Sequence, residues 1–411
     1  MSSSDEEGDV CTSCFSCCRP RSTSTHDERG PLVASANGKH SSRKPLLRMR
    51  WGSGSVAASE PTDLAEAQIL EGGMVFRFAG GKYTLGDEAG RGAHCVVWQC
   101  QRVGVKRGEP RVFALKVHNE QASALRREAD ALKGLRATRE GSALFPQLLG
   151  TVRVAGRTGL ALSLHGPDLY QLQKSRDRKP FPSAFVWGVA RQLLSALEAL
   201  ERAELVHADI KPQNILLRET EEMAAIDGST RVVLIDLGSC LSREQLSRTT
   251  NRVTYVQSRW YRAPEVILWA PITYSADAWS VGCVIAEVAL GVPLLPGESE
   301  YNQLARTAAI LGPPPRALLK RSRRSEDFFV DAGGRAPAMV STPADEPELV
   351  HYLPYSELRP LLLHVLPHYG EAERHTLLEL LMGMLRWDPD YRWSGPFAAQ
   401  RLWRGPPMEH I

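Results

Sequence analysis

The chain has 411 residues, of which 43% are hydrophobic and 24% are charged, values typical of soluble globular proteins. A formal net charge of +3 is nearly neutral for this length and gives no reason to expect nucleic acid or a membrane surface as a general partner. No stretch reaches the ~18 uncharged apolar residues of a membrane span, and the acidic start MSSSDEEGDV does not resemble a secretory signal peptide.

Residues 1–75 are rich in Ser, Gly and charges of both signs, which predicts a disordered tail. Four cysteines crowd near its start: Cys11, Cys14, Cys17 and Cys18. Without a signal peptide we expect no disulfide framework and an intracellular location, in the cytoplasm, the nucleus or both. Three interpretations of the cluster stay open: an inert tail, S-acylation that associates the chain with membranes, or a metal site lacking a second CxxC.

Folded patterning begins near Met74. Short apolar runs predict strands at 112–117 (VFALKV) and 160–164 (LALSL), and helical spacing of apolar residues predicts a helix at 122–135. A long amphipathic helix is predicted at 185–203.

A strand-rich segment therefore precedes a helix-rich one. Gly and Pro interrupt the chain at 165–167 (HGP), so we divide it there into a lobe at 76–165 and a lobe at 166–405. Two unequal lobes with a connector predict a ligand cleft between them.

Gly90 and Gly92, in GRGAHCVV, follow a strand-like segment. Glycines in such a loop let backbone N–H groups approach phosphate oxygens without a Cβ in the way. Taken alone, the motif is better explained as a glycine-bearing hairpin turn, and Cys95 occupies the place of a third glycine.

Lys116 lies inside the apolar strand FALKV, where a lysine must face a cleft or find a counter-ion. Glu128, in the next predicted helix, is able to supply the carboxylate. The pattern fits equally well a lysine whose ammonium group reaches the surface and a solvated glutamate.

The segment HADIKPQN follows the long helix and carries Asp209, Lys211 and Asn214, and a strand at 232–235 leads to Asp236 in DLG. Convergence of these groups suits phosphoryl transfer, in which positioning and charge neutralisation do most of the catalysis. Asp209 suits a base for a hydroxyl proton, and Asn214 and Asp236 are hard oxygen ligands suited to Mg²⁺. A polar loop without a role is the alternative, and the order and spacing of the two motifs argue against it.

The segment SRWYRAPE comes next and ends at Glu265. We predict a buried ion pair between Glu265 and Arg392, which would be costly to break from one side. Asp277, in ADAWSVGC, is predicted to hold the catalytic loop from beneath.

From about residue 80 to 405, the ordered motifs GxGxxxxV, FALK, HxDxKPxN, DxG, APE and DxWSxGC resemble those of eukaryotic protein kinases. The resemblance implies an α+β, two-lobed fold, with a small β-rich N-lobe containing helix αC and a larger, mainly helical C-lobe. It also implies ATP and Mg²⁺ as cofactors and Ser or Thr residues of proteins as substrates.

Finer features resemble the CMGC group of that family. YVQSRWYRAPEVIL, LSLHGPDLYQL and LGVPLLPGESEYNQL are similar to segments of the dual-specificity tyrosine-regulated (DYRK) kinases. HADIKPQN is also close to the splicing-associated Prp4-type kinases. KRSRRSEDFFVDAGG resembles the start of the CMGC insert, which we place near 315–365.

The resemblance assigns Asp209 as the base, Lys211 to the γ-phosphate, and Asn214 and Asp236 to Mg²⁺. It assigns nine residues to ATP binding: Gly90, Gly92, Val97, Ala114, Lys116, Glu128, Leu162, Ser163 and Leu164. Leu162 aligns with the gatekeeper and the following residues with the adenine-binding hinge.

Tyr255 aligns with the tyrosine that DYRK kinases phosphorylate on themselves, and Arg259 and Arg262 would hold its phosphate. An arginine at the position of Arg262 also accompanies a preference for proline after the target residue. We therefore expect Ser/Thr phosphorylation that is proline-directed, with autophosphorylation of one tyrosine.

The departures from the family pattern include Cys95 for glycine, Ala208 for arginine and Leu237 for phenylalanine. They support an alternative interpretation, a catalytically weak pseudokinase that acts as a scaffold. A kinase for small molecules or lipids is a second alternative, and SRWYRAPE argues against it. We expect protein substrates, no nucleic acid, and a monomer.

Overall fold

The computed structural model describes residues 70–92, 95–104, 111–118, 122–136, 141–219, 226–249, 256–331, 333, 335–343, 353 and 356–403. The predicted tail up to residue 69, its four cysteines and Tyr255 lie outside the described residues. Among the helices that it describes, none combines the length and the apolar character needed to cross a membrane.

A six-stranded antiparallel sheet forms the first part of the fold, with strand order β1-β2-β3-β4-β6-β5. Its strands are β1 (Val75–Phe78), β2 (Gly81–Arg91), β3 (Cys95–Arg102), β4 (Val112–His118), β5 (Leu148–Val154) and β6 (Arg157–Leu162). Helices α1 (Ala122–Arg136) and α2 (Gly141–Leu144) connect β4 to β5. Aromatic residues fill one face of the sheet, where the ring centroids of Tyr83 and Phe113 lie 5.0 Å apart.

Helices dominate the second part. They are α3 (Leu169–Ser175), α4 (Ser183–Arg202), α5 (Arg243–Thr249), α6 (Pro264–Ile267), α7 (Ser275–Leu290), α8 (Glu300–Leu311), α9 (Arg316–Lys320), α10 (Ser325–Phe328), α11 (Leu358–Val365), α12 (Glu371–Met384) and α13 (Gly395–Trp403). Every residue of α7 is buried, so this helix forms the centre of the helical core. The α+β class predicted from the sequence is confirmed.

Short strand pairs position the loops between these helices. They are β7 (Leu205–Val206) with β10 (Leu241–Ser242), β8 (Ile215–Leu217) with β9 (Val232–Leu234), and β11 (Phe329–Val330) with β12 (Ala338–Met339). The last pair, with α9, α10 and α11, belongs to the region predicted as the CMGC insert.

The predicted elements agree closely with the observed ones, with one difference of interest. The run 160–164 was expected to be strand throughout, but β6 ends at Leu162. Ser163 donates its amide to the carbonyl of Gln147 (2.9 Å), and the chain then turns towards β8, where the amide of Gly166 donates to Leu217 (2.9 Å). Hydrogen bonding to a second part of the fold ends the strand early.

Candidate active site

Lys116 joins three distant parts of the chain in the cleft between the sheet and the helices. It lies on β4, and its ammonium nitrogen is 2.7 Å from Glu128 of α1 and 2.7 Å from Asp236. Burial disfavours the charged lysine, but the carboxylates of Glu128 and then Asp236 raise its pKa above the ordinary value. Lys116 is therefore cationic, and the interpretation of it as a surface lysine is wrong.

Asp236 is the member of this cluster that remains accessible, because 35% of its side chain is exposed. Burial opposes its ionisation, but the charge of Lys116 lowers its pKa overall. Its backbone is left-handed (φ 68°), and the next residue, Leu237, is fully buried in the main core. Leu237 thus fixes the backbone next to the Asp236 carboxylate by packing in the core.

The loop after β7 gathers the predicted catalytic residues. Lys211 Nζ lies 2.8 Å from Asp209 Oδ2, and the side-chain amide of Asn214 donates to the backbone carbonyl of Asp209 (2.8 Å) and to its carboxylate (3.1 Å). Because the amide nitrogen of Asn214 is directed at Asp209, its oxygen is left for a ligand. The convergence predicted from the motif is observed.

Ser258 completes this cluster and was not predicted from the sequence. Its hydroxyl donates to Asp209 Oδ1 (2.8 Å) and accepts from Lys211 Nζ (3.2 Å). In the sequence, Ser258 is recognisable only as the hydroxyl residue that begins SRWYRAPE. Its contact with Asp209 depends on how the residues between them fold.

Asp277 of α7 fixes the same loop from below, as predicted. One of its oxygens accepts the amide of His207 (2.5 Å), the other accepts the amide of Ala208 (3.0 Å), and the side chain is buried. Ala208 has a left-handed backbone (φ 65°), a conformation that costs a non-glycine residue about 1–2 kcal/mol. The two hydrogen bonds stabilise that conformation.

The glycine-bearing turn lies between β2 and β3. The amide of Gly92 donates to the carbonyl of Cys95 (2.8 Å) at the end of this strand pair, and an added Cβ on Gly90 would meet no atom within 4 Å. This open space beside Gly90 leaves room for a ligand. Burial raises the pKa of the Cys95 thiol, which favours the unreactive thiol form.

Four of the residues assigned to ATP binding lie in or against one apolar cluster. Ala114 pairs with Leu162 between β4 and β6, and Val97 pairs with Lys116 between β3 and β4. Because side chains two residues apart share a face of a strand, Ala114 lies on the same face as Lys116. Val97, Ala114, Leu162 and Leu164 all pack within one apolar cluster. The Ser163 hydroxyl accepts the amide of Gln147 (2.9 Å).

Arg262 is buried and holds the backbone of the segment before it. Its guanidinium donates to the carbonyls of Val256 (3.0 Å) and Gln257 (2.8 Å) and lies 3.6 Å from Glu300. Arg259, in contrast, is exposed and donates to the carbonyl of Glu298. The two arginines predicted to share a phosphate therefore have separate partners in this structure.

The predicted ion pair between Glu265 and Arg392 is confirmed. Two hydrogen bonds of 2.6 and 2.7 Å join the carboxylate to the guanidinium, and neither side chain is exposed. This pair fastens the end of the segment SRWYRAPE to the helical core.

Comparison with known proteins agrees with the geometry. The sequence model of the protein kinase domain matches residues 83–404, so the chain belongs to the protein kinase family. Within that family it is similar to kinases of the DYRK type.

One relative, the DYRK-family kinase pom1 of Schizosaccharomyces pombe, is 36% identical over 242 residues, covering 59% of this chain and 20% of pom1. Dual specificity tyrosine-phosphorylation-regulated kinase 3 of Mus musculus is 34% identical over 311 residues, covering 71% of this chain and 49% of the relative. Homeodomain-interacting protein kinase 1 of Caenorhabditis elegans is 30% identical over 312 residues, covering 75% and 35%. The chain thus spans less than half the length of these relatives.

Proposed function

We propose that the protein transfers the γ-phosphoryl group of ATP to Ser and Thr hydroxyls of protein substrates. The observation that carries the proposal is the position of Lys116, 2.7 Å from both Glu128 and Asp236. An ion-paired lysine beside an exposed aspartate is the arrangement that grips the ATP phosphates and a metal ion in this family.

In this reaction the hydroxyl oxygen of the substrate bonds to the γ-phosphorus while the bond from that phosphorus to the bridging oxygen of ADP breaks. Asp209 takes up the hydroxyl proton, and Lys211, 2.8 Å from Asp209, neutralises the charge on the γ-phosphoryl group. Ser258 orients the carboxylate of Asp209 through its 2.8 Å hydrogen bond.

Asp236 and Asn214 are the residues that would hold Mg²⁺. One carboxylate and one amide oxygen fit this ion, which is usually bound by one or two carboxylates together with substrate phosphates and water. When bound, the ion neutralises charge on the phosphates and helps to orient them.

The proposed preference for proline after the target residue rests on Gln257. Its backbone is left-handed (φ 67°), and its carbonyl oxygen accepts from Arg262 (2.8 Å). That carbonyl is thus engaged within the protein and does not require an N–H from the substrate. Proline, which has no N–H, satisfies this condition without an unpaired donor.

Autophosphorylation of Tyr255 is the remaining part of the proposal. It is supported by the similarity of the surrounding sequence to DYRK kinases and by the name of one relative, a dual specificity tyrosine-phosphorylation-regulated kinase. Arg259 and Arg262 lie four and seven residues later and would hold the phosphate after both rearrange from their present carbonyl partners.

Phosphosite mapping of the purified protein and of Asp209→Asn tests the proposal. We expect phosphotyrosine at Tyr255 in the wild type and none in the variant, together with transfer to Ser or Thr in basic, proline-containing peptides. ATP binding without transfer to itself or to any peptide would favour the scaffold alternative instead.

A further inference from the structure

Behind the hinge, polar groups from three chain segments form a closed series of hydrogen bonds. The Gln147 amide donates to Ser163 Oγ (2.9 Å), this oxygen lies 2.8 Å from His165 Nε2, and His165 Nδ1 lies 3.3 Å from the carbonyl oxygen of Arg218. The guanidinium of Arg218 donates to the carbonyl of Ala143 (3.1 Å). Since Ala143 and Gln147 belong to one short segment, the series returns to its start.

The partners determine which nitrogen of His165 carries hydrogen. A carbonyl oxygen only accepts, so Nδ1 donates to Arg218 and Nε2 accepts the Ser163 hydroxyl. Ser163 Oγ still accepts from Gln147, and every group in the series is satisfied when His165 is neutral. A proton on Nε2 would remove the acceptor of the Ser163 hydroxyl.

The surroundings of His165 favour this neutral form. Burial lowers its pKa, and of the charged groups that face the ring, Arg218 lowers it while Glu219 raises it. The hydrogen bond to the carbonyl of Arg218 also raises the pKa, but the overall direction is downward.

Close packing fixes the chain just after His165. The amide of Gly166 donates to Leu217 (2.9 Å), and the amide of Leu217 donates to Pro167 (2.9 Å). A Cβ at position 166 would lie 2.1 Å from the carbonyl oxygen of Glu219, so only glycine fits there. The hinge is therefore fastened to the sheet through Ser163 and to β8 through the residues after it.

We propose that Ser163 and neutral His165 are positioning residues that fix the hinge backbone for adenine, and that they set the affinity for ATP rather than the rate of phosphoryl transfer. The inference rests on the proposed function, because it assumes that the nucleotide occupies this cleft. The proposal adds the side chain of His165, which was not among the predicted site residues, to the hinge residues predicted from the sequence.

Ser163→Ala and His165→Phe each interrupt the series, and the first removes a single oxygen atom. We expect each to weaken ATP binding about three- to tenfold, as for the loss of a hydrogen bond or two, and to change kcat by less than about twofold. Because the two residues act as a unit, the double variant should bind ATP about as tightly as the single variant with the lower ATP affinity.

The pH dependence gives a second measurement. In the wild type, ATP affinity should fall as the pH drops below about 6.5, because a proton on His165 Nε2 reverses the hydrogen bond to Ser163 and deprives the Ser163 hydroxyl of its acceptor. The fall should be smaller in both single variants. His375→Phe is the matched control, since exposed His375 makes the same type of Nδ1 contact to a carbonyl (Glu371, 2.9 Å) on α12, and it should behave as the wild type.

Thermal melting establishes that each variant is folded, and Ser163→Ala serves as the test if His165→Phe is not. The inference would be overturned, and the proposed function left intact, by either of two results. One is variants with wild-type ATP affinity and pH profile, and the other is variants whose kcat falls as much as their ATP affinity. A folded wild type that binds no nucleotide would overturn the proposed function together with it.

Discussion

Two buried ion pairs in this protein have similar chemistry and different environments. Lys116 and Glu128 lie in the cleft, with side chains 6% and 1% exposed, while Arg392 and Glu265 lie in the helical core with none. Arg392 also donates to the carbonyls of Arg386, Trp387 and Ser275, so its guanidinium has partners on every side. Lys116 instead contacts a second carboxylate, on Asp236, that opens to the cleft.

The difference separates an ion pair enclosed by the fold from one that still has a partner open to solvent. In a closed network such as that of Arg392, every charged group already has a partner inside the protein, so none is available to a ligand. The network only holds two segments of the fold together. The cluster around Lys116 has two carboxylates for one ammonium group, and 35% of the Asp236 side chain is exposed, so the site suits a further cation.

Replacing the core cation should have the largest effect. Arg392→Met leaves Glu265 buried without a partner and should lower the free energy of unfolding by about 3–5 kcal/mol. Chemical denaturation measures this loss. The control is Arg401→Met, which removes a half-exposed arginine 3.8 Å from Glu379 and should cost no more than about 1 kcal/mol. Equal denaturation midpoints for the two variants would contradict the comparison.

The same replacement in the cleft should affect catalysis more than stability. Lys116→Met should lower kcat/KM about 10²–10³-fold, as for other preorganised groups that stabilise a transition state. Because burial raises the pKa of Glu128, this carboxyl takes up a proton when its partner is lost and the fold survives. Steady-state kinetics and thermal melting check both points.

Lys133→Met on the exposed face of α1 is the matched control for the cleft variant and should retain full activity. A Lys116→Met protein that unfolds as readily as Arg392→Met would place both ion pairs in the same structural class.

A third buried carboxyl, Glu287 on α7, belongs to no ion pair among the described residues and should respond to pH. Burial raises its pKa from 4.5 to about 7, with its oxygen accepting the Tyr261 hydroxyl (2.7 Å). Between about pH 4.5 and about pH 7 the unfolded chain releases this proton first, so stability falls by up to about 3 kcal/mol as the pH rises.

Glu287→Gln removes the titration and should flatten the plot of unfolding free energy against pH over this range. Denaturant titrations at several pH values measure the slope, with exposed Glu379→Gln as the control. Parallel slopes for the wild type and Glu287→Gln would show that Glu287 titrates normally.

The smallest effect is expected where a carboxylate is satisfied by backbone alone. Asp168 caps α3, and its side chain accepts the amide of Gln171 (2.8 Å). Asp168→Ala should lower the free energy of unfolding by about 1 kcal/mol, and Asp168→Asn, which retains a capping oxygen, by much less. Denaturation curves separate the two, and equal losses would indicate that charge rather than capping matters here.

Much of the site was predictable because its motifs specify both residue type and spacing. Lys116 in an apolar strand, Glu128 on the next helix and the two aspartates in short polar loops each carry a local signal. The pair of Glu265 with Arg392 and the capping by Asp277 followed from the same family pattern, and the structure confirms both.

Other features were not predictable from local patterns. Helix α5 (Arg243–Thr249) was not foreseen, and β6 ends two residues earlier than the apolar run suggests. In both places the backbone responds to partners elsewhere in the fold. Arg243, for example, donates its amide to the carbonyl of Glu204, two residues after α4 (3.0 Å).

The sequence by itself determined the class of this protein, its two-part order of strands and helices, and which charged residues meet at the candidate site. These follow from hydrophobic periodicity and from residue types that few other environments tolerate. Only the tertiary structure decided that Ser258 meets Asp209, that Arg262 holds the backbone of Gln257, and that His165 closes a series of hydrogen bonds behind the hinge. Two of these contacts join segments about fifty residues apart, and the third depends on the left-handed backbone at Gln257, so no local sequence pattern records any of them.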